Sequence, residues 1–394
     1  MNVPANAFGI VLTGGGARAA YQVGVMRGIA RRLPRTKLDI ITGVSAGAIN
    51  AIFLASRRGA LGAIVEDLAK VWSALHVKDV LRIESRPLIQ NALAWGAKLA
   101  SGGRQGMGHN VRGLVDTTPL RKLLEGLYPE NENGEIAGLA ENIARCEPRA
   151  VAVTTLDYNT GRTVTWIEGC DIETWERPLR RSIISKLTID HVMASAALPI
   201  LFPAVQLGKH WHGDGGIRLS APLSPALQLG ATRLLAISTH YAKTASEADE
   251  PQVIGYPPPA QILGQLMNAI FLDVIDEDSV RLQRSNEFLR QLPPEQRHGY
   301  RVVDFSVIRP SEDLGRIAAE YESHLPRSFR YLTRGLGTQE TSDADFLSLL
   351  MFVPEYLRRL IEIGERDANA KIDDIQRVVA GSLLPGEKVP RSGG

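Results

Sequence analysis

The stretch Ile40-Ile41-Thr42-Gly43-Val44-Ser45-Ala46-Gly47-Ala48-Ile49-Asn50 decides the fold. An apolar run reads as a strand ending at Thr42; Gly-Val-Ser-Ala-Gly follows, and a helix of small residues begins. Gly-x-Ser-x-Gly between a strand and a helix is the nucleophile-elbow pattern. The serine of such an elbow sits on a sharp, strained turn. Gly43 and Gly47 carry no Cβ, so strand and helix can approach closely around it. Ser45 Oγ is then presented above the sheet edge, with a helix N-terminus behind it that favours negative charge. A Gly/Ser turn without chemistry has the same composition. The placement after an apolar strand and before the small-residue run 48–55 is what carries the functional reading.

Upstream, Phe8-Gly9-Ile10-Val11-Leu12 is a short apolar strand interrupted by Gly14-Gly15-Gly16. Residues 17–33 follow at helical spacing, with Tyr21, Val25 and Ile29 on one stripe and Arg27, Arg31 and Arg32 late, where they suit a helix C-terminus. Strand, glycine loop and helix in this order cradle anions, because successive glycine N–H groups turn toward one point. A dinucleotide site wants Gly-x-Gly-x-x-Gly and an acid about twenty residues on. Here the last glycine is Ala19, and Asp39 belongs to the start of the next strand. An oxyanion hole needs only converging N–H donors near a nucleophile. With Ser45 one helix and one strand away, the oxyanion hole is the preferred reading; a plain helix-capping turn is the bland one.

The whole chain bounds the class. It has 394 residues, 44% hydrophobic and 22% charged, with a net charge of +2. No polyelectrolyte role follows, and no basic helix or aromatic–basic stripe points to nucleic acid. Cys146 and Cys170 lack metal-ligand or CxxC spacing and read as reduced, small core residues, with a disulfide in an oxidising compartment as the alternative. Residues 1–8 show no signal-peptide pattern, and no apolar run reaches the ~18 residues of a membrane span. The expectation is a soluble, cytoplasmic protein.

Further along, 61–75 reads as an amphipathic helix carrying Trp72. The segment 82–121 is basic, with Arg82, Arg86, Lys98, Arg104, Arg112 and Arg121. Within it, 101–109 is a glycine-bearing loop of lid type, and 88–99 reads either as a flap on a lipid interface or as a solvated excursion. Such a basic segment suggests contact with an anionic membrane surface. Thr118-Pro119 opens a helix. Residues 149–155 and 162–167 form a hairpin over Asn159-Thr160-Gly161, followed by a short helix over 187–197. A second hairpin, 205–207 with 210–212, leads into Gly213-Asp214-Gly215-Gly216, and 234–239 is a buried strand. Residues 244–260 resemble a linker. Beyond lie a helix over 262–292, a strand over 301–308 that extends the same sheet, and helices over 314–323 and 344–364. The apolar run 346–353 reads as core, with a membrane-docking face as the alternative. The expected division is 8–243, the linker 244–260, a mostly helical region 261–380 on the same core, and a disordered tail 381–394.

A serine hydroxyl needs a neighbour to take its proton, and the common serine-hydrolase order is Ser, Asp/Glu, His. Among the histidines, His240, His298 and His324 follow a plausible acid without a special loop signal, and His76 and His109 sit in surface stretches. His191, His210 and His212 read as hydrogen-bonding partners in core and hairpin. Asp214 is the sharper candidate, because the glycines around it place a carboxylate on a tight turn. A carboxylate is a weak base toward an alcohol, so an oxyanion hole and a low dielectric must supply much of the barrier reduction.

In order, Gly14-Gly15-Gly16-Ala17-Arg18, Gly43-Val44-Ser45-Ala46-Gly47, Ala194-Ser195-Ala196-Ala197-Leu198-Pro199-Ile200-Leu201-Phe202-Pro203 and Asp214-Gly215-Gly216 resemble the patatin-like phospholipase family. The likeness covers 8–239 and extends more loosely through 262–368; Ala19 stands where many members have glycine. The resemblance implies an α/β fold, three layers with a mainly parallel central sheet flanked by helices and a largely helical C-terminal extension. It also implies a Ser45/Asp214 dyad, an oxyanion hole from Gly14, Gly15 and Gly16 with Arg18 supporting that loop, and Gly43, Gly47, Gly215 and Gly216 shaping the turns. The implied activity is hydrolysis of fatty-acyl esters of phospholipids or related lipids, with no metal or cofactor. An acyltransferase and a lipid- or partner-binding regulator are the alternatives on the same scaffold. Oligomeric state has no sequence signature.

Overall fold

The computed structural model describes residues 6–82, 113–249, 262, 265, 274–326, 329–330 and 345–381. Arg86, Lys98, Arg104, Arg112, His109, the segments 88–99 and 101–109, most of the linker stretch and the tail beyond 381 lie outside the described residues.

Among the described residues ten strands form one sheet: β1 (Phe8–Leu12), β2 (Ile40–Val44), β3 (Ala150–Asp157), β4 (Arg162–Gly169), β5 (Glu176–Arg177), β6 (Arg180–Ile184), β7 (Val205–Leu207), β8 (His210–Asp214), β9 (Arg233–Ile237) and β10 (Asp304–Ile308). The order is β10-β9-β1-β2-β3-β4-β6-β5, with β8 on β3 and β7 on β8. From β10 to β3 every pairing is parallel. β4 runs antiparallel to β3 through the expected hairpin.

The helices that matter here are α1 (Ala20–Arg32), α2 (Ala46–Ser56), α3 (Leu61–Ala74), α4 (Thr118–Leu127), α5 (Ala137–Ile143), α6 (Ile189–Ser195), α7 (Val274–Gln291), α8 (Leu314–Glu320), α9 (Asp345–Leu349), α10 (Pro354–Ala370) and α11 (Ile372–Ala380). The sheet separates two apolar cores, as the alternation of side chains along each strand requires. Phe8, Ile10, Leu12 and Ile41 point into the larger core with α1, α2, α3 and α10. Val11 and Ile40 point the other way, with Ile275 of α7. Both faces being covered, the central strands read as continuous apolar runs. This is the expected three-layer, mainly parallel arrangement with helices beyond it.

Three expectations need correction. The single helix expected over 344–364 is two, α9 and α10, with Met351–Val353 outside regular structure between them. Pro354 has no N–H to continue a helix from before it and is accepted instead as the first residue of the next. The pair β5 and β6 was not anticipated, since Arg180-Arg181-Ser182-Ile183-Ile184 begins with two charges and offers little alternation. Cys146 and Cys170 are not free thiols but a disulfide. The pairing of Ala150 with Gly169 brings the loop after α5 beside the residue following β4, with 5.7 Å between the two Cα atoms. Disulfides persist in oxidising surroundings, so the bridge lends no support to a cytoplasmic location. Among the described residues no helix is long and apolar enough to cross a membrane.

Candidate active site

The carboxyl end of the parallel sheet gathers the expected residues. β1 and β2 are parallel neighbours, so the Gly14–Gly16 turn leaving β1 lies beside the Ser45 turn leaving β2. Ser45 caps α2 with φ 57° and ψ −133°, a conformation that β-carbon sterics disfavour. Its surroundings hold it there. The Ser45 N–H donates to Ser195 Oγ at 2.9 Å, and the Ser195 hydroxyl donates to Thr154 O at 2.7 Å. A Cβ on Gly47 would lie 2.3 Å from Leu12 O, so only glycine lets α2 start this close to β1. Ser195 belongs to a quoted motif, yet nothing in the sequence singled it out.

Asp214 arrives from the other direction. β3 pairs with β2 through Thr154 and with β8 from Thr155 onward, where Thr155 faces Asp214. β4 occupies the opposite edge of β3 along its whole length. β8 therefore meets β2 end to end on one edge, and Asp214 comes in where the chain peels away at Ser45. The carboxyl is fully buried; Oδ1 accepts the Gly216 N–H at 2.8 Å, and Oδ2, with the Ser45 hydroxyl close by, meets no donor in good hydrogen-bonding geometry. Burial pushes its pKa up to about 7, and the Ser45 hydroxyl and the Gly216 N–H pull only part of the way back.

The glycine loop is braced from behind. Among the described residues, no backbone carbonyl accepts from the N–H groups of Gly14, Gly15 or Gly16. Gly16 has φ 54°, and a Cβ there would strike Leu349 O at 2.1 Å. Arg18 is buried beneath the loop; its Nε donates to Ser348 Oγ at 2.6 Å and its Nη2 to Asp345 O at 3.1 Å and to the Asp345 carboxylate. The Gln22 amide donates to Thr13 O, the Asn50 amide to Gln22 Oε1, and Trp72 Nε1 to Asn50 Oδ1. A chain of buried amides thus connects the loop to Trp72. Asp345 and Ser348 lie some 330 residues from Arg18, and no sequence pattern announced them.

Among the described residues, no histidine bonds Ser45 or Asp214. His191 Nδ1 bonds Thr188 at the start of α6, and burial pushes its pKa down to about 4. His210 Nδ1 pairs with Asp157, and His212 Nδ1 with Thr155 Oγ1. His76, His298 and His324 are exposed. No group of three or more His, Cys, Asp or Glu capable of holding a metal occurs among the described residues.

A narrow apolar pocket, partly open to solvent, runs from Gly16 and Ser45 past Ile49 and Leu68 to Trp72 and Phe352. Trp72 and Phe352 stack with centroids 6.5 Å apart. The apolar run 346–353 is therefore core, as expected, and also cavity wall.

Solved structures resemble the chain only distantly. VipD from Legionella pneumophila matches at 15% identity and a TM-score of 0.32, covering 78% of this chain and 61% of that one. Human GIVD cytosolic phospholipase A2 matches at 12% and 0.44, covering 95% and 60%. The type III effector protein ExoU, from Pseudomonas aeruginosa, matches at 12% and 0.29, covering 96% and 61%. The chain thus spans about 60% of the length of each. No curated protein matches significantly. The model of the patatin-like phospholipase family matches residues 10–227, more than half of the chain. With glycine loop, serine turn and Asp214 all inside that match, the chain belongs to the patatin-like phospholipase family.

Proposed function

We propose that the chain is a serine acyl hydrolase that cleaves fatty-acyl esters of phospholipids or related lipids. The observation that carries this reading is a fully buried carboxylate oxygen of Asp214, met by no donor in good hydrogen-bonding geometry, beside a serine held in a strained turn at the end of an apolar cavity. In the reaction Asp214 accepts the Ser45 proton as Oγ attacks the ester carbonyl. The N–H groups of the Gly14–Gly16 turn receive the negative charge on the carbonyl oxygen, and the N-terminus of α2 adds to the favourable field. The proton on Asp214 passes to the departing alcohol. Water then loses a proton to Asp214 and attacks the acyl-enzyme; the fatty acid leaves, and Asp214 passes that proton to Ser45 Oγ, which restores both groups. Burial serves this chemistry twice, by strengthening each electrostatic contact and by raising the basicity of Asp214. The cavity takes the acyl chain.

Fatty-acid release from mixed phospholipid vesicles by the parent, Ser45→Ala and Asp214→Asn tests the proposal. Release by the parent alone is expected. Equal release by Asp214→Asn would remove Asp214 from the base role.

A further inference from the structure

Three turns and the end of a short helix are tied together at the carboxyl end of β3. The Tyr158 N–H donates to Trp211 O at 2.9 Å, and the Trp211 N–H to Asn159 Oδ1 at 2.8 Å, joining the β3–β4 and β7–β8 hairpins. Arg162 donates to Arg177 O at 3.2 Å and the Thr163 N–H to Leu179 O at 3.0 Å, adding the β5–β6 turn. The Thr163 hydroxyl donates to Arg218 O at 3.2 Å, adding the residue that ends the 3-10 turn after Asp214. These bonds make one continuous surface.

Its composition is unusual. Tyr158, Leu179 and Trp211 are 45%, 50% and 39% exposed. Around them Arg177, Lys209 and Arg218 are exposed as well. The carboxylates beside these turns are taken or enclosed: Asp157 is buried against His210, Glu176 pairs with Arg162, and Asp214 is buried in the candidate site. Arg180, half-buried, lies near Asp278 on α7. A cationic surface with apolar tips remains. On the neighbouring loop, Ile200 is 57% exposed at φ 69°, between Leu198 and Phe202 of the cavity wall. A β-branched residue in that conformation persists only where its surroundings impose it.

We propose that this surface docks the chain onto an anionic lipid bilayer, with Trp211 at headgroup level and Arg177, Lys209 and Arg218 against lipid phosphates. The mixture of Trp, Arg and Lys is what a water–lipid boundary selects. Each cation near an anionic surface adds attraction within a Debye length. The choice of a bilayer over an acidic protein rests on the proposed lipid-ester activity, since Ile200 places an exposed apolar side chain on a loop that walls the cavity. These are different residues from the basic segment 82–121 on which the sequence hung its expectation of membrane contact.

The test is co-sedimentation of the full chain with phosphatidylcholine vesicles and with vesicles of equal parts phosphatidylcholine and phosphatidylglycerol, at low and high salt. The parent binds the anionic vesicles more tightly, and salt weakens that binding. Replacing Arg177, Lys209 and Arg218 together by Gln lowers anionic binding about a hundredfold. Trp211→Ala lowers binding to both vesicles. Both variants keep the parent's thermal midpoint and its hydrolysis of a soluble short-chain ester. Equal binding to the two vesicle types, or equal binding by parent and triple variant, overturns the proposal. A parent that binds anionic vesicles but hydrolyses neither ester nor lipid supports the docking surface while removing the hydrolase reading.

Discussion

Two sides of the candidate site differ in how they are built. One comes from the first fifty residues: β1, the Gly14–Gly16 turn, α1, β2 and the Ser45 elbow form a continuous strand–helix–strand unit. The other comes from far along the chain, with Ser195 and Asp214 from the middle and Arg18's partners Asp345 and Ser348 from beyond residue 340. The near side supplies backbone shape, in glycines and a strained serine. The far side supplies buried charge and hydrogen-bonding groups, whose properties exist only once they are enclosed. Shape is a local property of chain; ionisation in a core is not.

Asp214→Asn probes the far side most sharply. Hydrolysis is expected to fall at least about a thousandfold, since both the base and the driving force for serine attack are lost. Stability should move the other way. A carboxyl with a folded pKa of about 7 against 3.8 unfolded stays protonated when folded while the unfolded chain has ionised. Stability therefore falls as pH rises from about 4 to about 7, by up to about 4 kcal/mol, and stays lower above that. Asn removes the penalty, so the variant should melt higher than the parent at pH 8 and alike at pH 4. The parent's own rate should rise with pH to a plateau, half-maximal near pH 7. A flat pH–rate profile would detach Asp214 from the chemistry.

Arg18→Ala tests the link between the two sides. It removes the guanidinium that donates to Ser348 and Asp345 and should cost about 1.5–3 kcal/mol by denaturant unfolding. Activity should drop in kcat more than in KM, because the loop above Arg18 loses its brace. An unchanged kcat would separate the C-terminal segment from the glycine loop. Cys170→Ser opens a crosslink spanning 24 residues and should cost about 3 kcal/mol in the chain-entropy account. The bridge sits at the amino end of β3, away from Ser45, so kcat at 25 °C should not change. Gly16→Ala adds to the about 1–3 kcal/mol of a disfavoured conformation a Cβ clash with the Leu349 carbonyl, so its stability cost should exceed that strain alone. Its effect on turnover should exceed that of an alanine at Gly134, where φ is also positive but a Cβ would meet nothing within 4 Å, and which serves as control.

Much of the architecture was legible because it is periodic or sharply punctuated. The strands at Phe8–Leu12, Ile40–Val44 and Arg233–Ile237 are apolar runs bounded by glycine or polar residues, and α1 and α3 keep helical spacing. The hairpins at 150–169 and 205–214 follow their turn residues. Where the reading failed, a nonlocal cause intervened. The apolar run 346–353 has the composition of one helix, but Leu349 O must meet Gly16 and Pro354 restarts the helix. Cys146 and Cys170 have no spacing signature, because strand pairing rather than sequence distance brings them together.

By itself the sequence determined the turns: three glycines after β1, the elbow at Ser45 and the glycines flanking Asp214, since backbone conformation depends on neighbours within a few residues. Tertiary structure alone decided what meets there. It set β8 end to end with β2 along one edge of β3, enclosed the Asp214 carboxyl and seated Arg18 on Asp345. Burial and pairing across hundreds of residues follow from strand order and helix packing, and it is desolvation in that assembled core that gives Asp214 its raised pKa.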